Sequence, residues 1–580
     1  MSIPNLHEMS LVNAQLRAVA VKMRLPEAHS QPVSSVLAAV AKHGGMYTLL
    51  DSDLMTARLS AFVPESSTDS AAAKSIAAAS QQAAANFFYK LDDRPGYDIH
   101  SELMAYLTEP GNGNGILYNE GEQPSPDVPA AFTFVGQFLD HDLTCNPMNL
   151  TADEDGVVVQ DDASPLIDLD SVYGPREKVS SATKDFYSHI FDKDGNFHLR
   201  KIADVKHGFD LPRHTDPNNS EVQSAYILDP RNDENQLILQ IHILIERLHN
   251  AIRNDSQFAP QLAGLHKPGE IINRVRREVV ATWQSFVLND YMPAILDAAT
   301  LAFVLRQINI AAVDLAHPEQ QYGELKHKPY RDLVTGRNVV RMPHEFAIGF
   351  RFGHSQLRPA YLLNNNNVVL LFKDARHSDK VQIEGNSVAV SGKDDLRGSR
   401  KLQPNHVLDW DVFYPQAFSS GTASMLIDGK VTARVFNLPE SAVPDDVKYI
   451  GNLAHRNLIR SSQIGIVSGE ELADFYGIAR LTPDQILSAD DRPASRKLFE
   501  LDIHNGQAQF KTPLWYYLLK EAEIQNNGSR LGKLGSRLVG EVLAGAIYYG
   551  NDFPYDPNWE SAVMHKKQIK LRNIIAYVNQ

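Results

Sequence analysis

Gln137 and His141 stand four residues apart in the stretch Gly136-Gln137-Phe138-Leu139-Asp140-His141-Asp142. On a helix, residues at that spacing share a face, so an amide and an imidazole point into one space. A neutral imidazole there can accept and return a proton, and the amide beside it can position a small polar molecule. Successive helical residues rotate by about 100°, so Asp140 and Asp142 diverge. One carboxylate can edge the same cavity while the other reaches a separate site. Alone, such a triplet also describes an ordinary solvated helix face, and its partners must come from elsewhere in the chain.

Three further segments offer partners. Asp229-Pro230-Arg231-Asn232-Asp233-Glu234-Asn235-Gln236 opens a long apolar run, LILQIHILIERLHNAI, whose length and spacing predict a buried helix. Pro230 suits a turn or a first helical position, which puts Arg231 where a loop meets a helix N-terminus and Glu234 one turn in. Phe346-Ala347-Ile348-Gly349-Phe350-Arg351-Phe352-Gly353-His354-Ser355 is apolar and aromatic with one histidine, a core residue or a haem ligand through a neutral nitrogen. In Asn452-Leu453-Ala454-His455-Arg456-Asn457-Leu458-Ile459-Arg460-Ser461-Ser462, Asn457 can hold a ligand imidazole by accepting its other N–H, or serve as a plain helix or turn residue.

In this order, the segments FVGQFLDHDLT, SPLIDLDSVYG, DPRNDENQLILQIHILIERLHNAI, GFRFGHSQLRP and NLAHRNLIRSS resemble the animal haem peroxidase family, closest to its bacterial branch. TPLWYYLLKEAE and LGKLGSRLVGEVLAG resemble the C-terminal helices of that branch, and the likeness spans about residues 85 to 560. It implies a mainly α fold with little β, with haem between a distal and a proximal helix.

The resemblance also implies roles. His141 matches the distal acid–base residue, Gln137 its neighbour that positions water, peroxide or halide, and Arg231 the distal arginine. His354 matches the proximal iron ligand and Asn457 its hydrogen-bond partner. Asp140 and Glu234 fall where family members ester-link haem b. Asp142, Ser164, the Leu166 carbonyl, Asp168 and Asp170 fall where the family binds calcium, a cation that takes 6–8 oxygen ligands. The implied activity is reduction of hydrogen peroxide with oxidation of halides, thiocyanate or small aromatic donors.

The residue types suit that chemistry. Splitting the peroxide bond heterolytically needs a proton moved from one oxygen to the other, and a fixed cation steadies the departing oxygen. An Asn partner leaves the proximal imidazole closer to neutral than a carboxylate would, which predicts an electron-poor iron.

Some positions depart from the family. Asn235 stands where myeloperoxidase has the Met of a third haem bond, so no sulfonium link is expected. Arg351 stands where the related fatty-acid dioxygenases carry a radical Tyr, which argues against fatty-acid oxygenation. After Asn457 the usual RSRDHG reads Arg460-Ser461-Ser462-Gln463-Ile464-Gly465. A fatty-acid dioxygenase and a non-catalytic haem- or calcium-binding scaffold are the alternatives; the set His141, Arg231 and His354 speaks against the scaffold.

Composition fits a large enzyme of 580 residues. A net charge of −14 disfavours nucleic acid as a partner. No apolar run approaches the roughly 18 residues of a membrane span. The N-terminal MSIPNLHEMSLVNAQLRAVAVKMRLPE lacks the apolar core of a signal peptide, which predicts a cytoplasmic protein or export by a leaderless route. Cys145 is the only cysteine, so no intrachain disulfide can form, and it reads as a small packing residue. Residues 1–84 read as a helical N-terminal extension and 85–580 as the catalytic domain. Gly111–Gly115 reads as a flexible loop, and Val381–Val390 as a short hairpin turning at Gly385-Asn386.

Overall fold

A computed structural model describes residues 87–580, apart from 110–114, 145–149, 154–155, 160–163, 175–186, 217–218, 313–323, 332–337, 365–366, 374–379, 384–385, 391–394, 439–450, 488–494, 505–506 and 551. The expected extension (1–84), Cys145 and most of the Gly111–Gly115 loop lie outside the described residues.

The long apolar run forms the central helix. The main helices are α1 (Ala130–Leu143), α2 (Gln236–Asn254), α3 (Pro268–Phe286), α4 (Ala298–Ala312), α5 (His344–Gly349), α6 (Leu453–Ile464), α7 (Leu514–Asn526), α8 (Lys533–Tyr548) and α9 (Leu571–Val578). Helix α2 is buried almost all round because it packs against α1, α3 and α9 at once. Its N-cap is Asn235, whose Oδ1 accepts from the backbone N–H of Leu237 and Ile238. Glu234 therefore precedes the helix rather than lying one turn inside it. Asp229 caps a separate 3₁₀ turn, Pro230–Asp233, that carries Arg231.

The second half of the chain supplies the opposite wall. Helix α5 packs against α6, α7 and α8 and runs directly into a 3₁₀ turn, Phe350–His354, so His354 ends a tight turn rather than sitting within an α-helix. That turn packs against α1, which brings the two histidine-bearing segments together. Helix α6 ends at Gly465 in the left-handed conformation (φ 62°), a stop that glycine adopts without steric cost.

The fold is mainly α. Every sheet among the described residues is a two-stranded ribbon. The expected hairpin is present as β1 (Lys380–Ile383) and β2 (Asn386–Ala389), antiparallel. Ile383 pairs with Asn386, so Asn386 opens the second strand instead of forming part of the turn. No helix among the described residues is long and apolar enough to cross a membrane.

Candidate active site and metal cluster

Helix α1 carries four of the residues singled out above, and its environment sorts them. Gly136 leaves room for Tyr291: a Cβ there would lie 2.5 Å from the Tyr291 hydroxyl. Asp142 turns away from the cavity and accepts from the backbone N–H of Leu169 (3.0 Å) and Ser171 (3.2 Å). Asp140 points elsewhere: burial raises its carboxyl above the usual range, while the Arg351 and Arg231 charges oppose the rise. The divergence of the two carboxylates is thus realised.

His141 is buried, and its Nδ1 lies 2.9 Å from Asn232 Oδ1. Burial first, then the nearby Arg231 charge, lowers this histidine to about 4, so it is neutral at ordinary pH. Gln137 Oε1 accepts from Asn235 Nδ2 at 3.1 Å.

Arg231 is held on several sides. Its Nε and Nη2 fork onto Asp229 (3.0 and 2.6 Å), Nη2 donates to the carbonyls of His141 (2.7 Å) and Thr144 (2.8 Å), and Nη1 donates to Thr144 Oγ1 (3.0 Å). The guanidinium ties the 3₁₀ turn to the end of α1 and fixes His141 through its own carbonyl. Neither Asp229 nor Thr144 stood out in the sequence; an Asp two residues before the arginine was the one signal available.

His354 and Asn457 meet, but with the amide turned the other way from the expected acceptor: Asn457 Nδ2 lies 2.9 Å from His354 Nδ1. Arg351 Nη1 donates to Asn457 Oδ1 at 3.1 Å, so in this orientation the amide gives its N–H to the imidazole. Turning the amide over makes His354 Nδ1 the donor and leaves the Nε2 lone pair for a metal, at the cost of the Arg351 bond, because Nδ2 then faces the guanidinium. Burial, then Arg351 and Arg456, lowers His354 to about 3, which keeps the ring neutral, as a metal ligand must be.

Glu234 is exposed, yet the protein around it raises its carboxyl to about 7 against the pull of Arg231 and Arg456. Gln137, Asp140, Arg231, Arg351 and His354 likewise keep partial exposure. The neutral imidazoles of His141 and His354 and the carboxyls of Asp140 and Glu234 are a donor set of the kind that fits haem.

A second cluster lies beside α1. Oxygens of Asp142, Asp168 and Asp170 come within 4.8 Å of one another, all three residues buried. Ser164 Oγ donates to Asp168 Oδ2 (3.2 Å) and Ser164 N to Asp170 Oδ2 (2.7 Å). Leu166 lies in the same loop, two residues from Asp168. Leu169 takes a left-handed backbone (φ 60°), an uncommon state for a leucine, and this bend carries the backbone N–H of Leu169 and Ser171 onto Asp142. Burial, followed by the Asp168 charge, pushes Asp142 and Asp170 well above the carboxylate range. Arg276 reaches the Asp168 carbonyl (2.8 Å). This oxygen-rich, anionic donor set suits a hard cation such as calcium.

Residues 157–390 match the family model described as animal haem peroxidase. Over those residues the chain is similar to an animal haem peroxidase domain. The matched peroxidase segment holds Ser164, Asp168, Asp170, Arg231, Glu234 and His354, while α1 and Asn457 lie outside it. Peroxidase A from Dictyostelium discoideum has a similar fold, with a TM-score of 0.50 at 16% identity over 85% of this chain and 91% of that one. A fatty acid alpha-dioxygenase from Arabidopsis thaliana aligns at a TM-score of 0.46 and 11% identity, over 84% of this chain and 74% of its own. One from Oryza sativa aligns at 0.45 and 12%, over 83% and 78%. No curated protein matches the chain significantly. Proteins of the matched family are haem-dependent oxidoreductases.

Proposed function

We propose that this protein is a peroxidase that reduces hydrogen peroxide and oxidises small anions such as halides or thiocyanate, or small aromatic donors. The observation that carries the reading is the packing of two segments that each bear a neutral histidine: His141 with Nδ1 held by Asn232, and His354 with Nδ1 held by Asn457. His354 is the residue that would ligate the iron, and Asn457 its partner once the amide presents Oδ1. Bound haem supplies the two-electron reductant for the peroxide and the site at which donors are oxidised.

The remaining roles belong to the chain's own groups. His141 Nε2 takes the proton from one peroxide oxygen and returns it to the other, a transfer worth roughly 10²–10⁴-fold. Arg231, anchored by Asp229, lends positive charge where the leaving oxygen becomes negative. Gln137 orients peroxide or the anion. Asp140 and Glu234 are the carboxyls available for ester links to haem methyl groups. Asp142, Ser164, Leu166, Asp168 and Asp170 hold calcium, which would fix the end of α1 and with it His141.

One equivalent of hydrogen peroxide added to the haem-loaded protein tests the reading. Rapid loss of the Soret band, restored by bromide or thiocyanate, is the expected result. An unchanged spectrum, or oxygen uptake that depends on a fatty acid, would overturn it in favour of a scaffold or a dioxygenase respectively.

A further inference from the structure

A line of hydrogen bonds runs from His141 away from the cavity and into the core. His141 Nδ1 lies 2.9 Å from Asn232 Oδ1, Asn232 Nδ2 lies 3.1 Å from His242 Nδ1, and His242 Nε2 lies 3.1 Å from Glu246 Oε1. Asn232, His242 and Glu246 are 0, 1 and 2% exposed. His242 and Glu246 are one turn apart on α2, and the second carboxyl oxygen, Glu246 Oε2, is buried with no hydrogen-bond partner. Phe138 stacks edge-on against the His242 ring (6.4 Å), which closes the line off on the α1 side.

The direction of such a line is set at its end. Each neutral imidazole and each amide in it offers one donor and one acceptor to the line. A carboxylate at position 246 can only accept. His242 Nε2 then carries the proton and its Nδ1 must accept. Asn232 must turn Nδ2 towards His242 and Oδ1 towards His141, and His141 Nδ1 must donate. The lone pair of His141 is left on Nε2. The opposite direction requires a proton on Glu246, or a second proton on His242, and places the His141 proton on Nε2, where the ring cannot accept another.

We propose that Glu246 is a positioning residue that, acting through His242 and Asn232, fixes His141 in the tautomer whose Nε2 is free to take a proton. The carboxylate lies three hydrogen bonds from His141 and touches neither substrate nor cofactor. The assignment rests on the reading of His141 as the acid–base group. It extends to a side-chain amide and a second histidine the logic by which a buried carboxylate orients a catalytic imidazole.

The test reads the tautomer directly. Full-length protein labelled with ¹⁵N-histidine and loaded with haem in its diamagnetic ferrous carbonyl form gives long-range ¹H–¹⁵N correlations that report which ring nitrogen holds the proton. His141→Gln assigns the His141 signals. The wild type is expected to hold the His141 proton on Nδ1 at neutral pH. Glu246→Gln can present either end of its amide and should give a mixture. Glu246→Met leaves only a weak thioether acceptor, should move the proton to Nε2, and should slow the reaction with peroxide by roughly tenfold or more. If Glu246→Met does not fold, the isosteric Gln variant decides. A wild-type proton on Nε2, or a tautomer unchanged in the folded Glu246 variants, overturns the proposal. If the tautomer shifts but His141→Gln reacts with peroxide as fast as wild type, the relay stands and the acid–base reading of His141 falls.

Discussion

Asn235 donates its side-chain amide to Gln137 Oε1 across 3.1 Å, and the direction of that bond is forced. Asn235 Oδ1 is already committed as the cap of α2, accepting from Leu237 N (3.0 Å) and Ile238 N (2.9 Å). Only Nδ2 remains for Gln137, so Gln137 must offer its oxygen and keep its NH₂ as its remaining donor. An NH₂ group suits an anion or a peroxide oxygen better than a carbonyl does. Asn235→Asp keeps the capping oxygen but presents a second acceptor to Gln137, which should turn the Gln137 amide over. We expect a small change in thermal stability and a several-fold rise in the half-saturating concentration of bromide or thiocyanate. Asn235→Ala should add the loss of a cap, about 1 kcal/mol. Steady-state kinetics beside thermal unfolding separate the two effects.

Arg231 and Asp229 form a pair whose loss should be felt at a distance. Asp229 is buried, and the Arg231 charge holds its carboxyl below the usual range against the effect of burial. Asp229→Asn leaves the guanidinium without its counter-charge, and breaking a buried pair in this way costs about 3 kcal/mol or more. Arg231→Lys should cost stability as well, because an ammonium cannot reach Asp229, the His141 carbonyl and Thr144 together. Denaturant unfolding of the two variants measures this.

The acidic cluster predicts an unusual pH response. With no cation present, Asp142 and Asp170 hold their protons more tightly folded than unfolded. The folded state then binds more protons, so stability falls as pH rises from the unfolded carboxyl range near 4 through neutrality. Calcium replaces those protons and should reverse the slope. Thermal melts across pH 5–8, with chelator and with added calcium, check the sign. Chelation should also lower activity, through the link from Asp142 to its neighbour His141, and Asp168→Asn should reproduce that loss.

On the acid side, His249 dominates a separate prediction. Its Nδ1 accepts from the Tyr173 hydroxyl (2.9 Å), its Nε2 donates to the Gly195 carbonyl (2.9 Å), and burial lowers it to about 4. A histidine kept neutral when folded, but near 6.5 when unfolded, contributes stability that is present above pH 6.5 and lost as pH falls through 4. The full difference amounts to about 3 kcal/mol. His249→Gln should be less stable at pH 7 and show a flatter decline between pH 6.5 and 4 in chemical unfolding.

Much of the frame was legible because it rests on periodicity and on short motifs. The run from Leu237 to Ile252 is helical and buried, and the contacts of His354 with Asn457 and of Asp142 with the Asp168–Asp170 loop fall where the motifs put them. What escaped were groups whose role depends on tertiary neighbours. His242 and Glu246 sit inside an apolar run and Asn232 in the turn before it, where none of the three is unusual in its residue type. The Arg351 bond to Asn457 and the left-handed Leu169 had no local signal, since nothing in either side chain demands its arrangement. Glu234 fell outside α2 because the Asn235 side chain caps the helix, which begins only at Gln236.

The most direct measurement is the second-order rate of reaction of hydrogen peroxide with the haem-loaded protein and with its His141→Ala variant, followed by stopped-flow absorption at neutral pH. A fall of roughly 10²–10⁴-fold, with haem still bound and the fold intact, is the result expected of an acid–base histidine. A rate within a few-fold of wild type would contradict the account, because proton transfer by His141 is its central step.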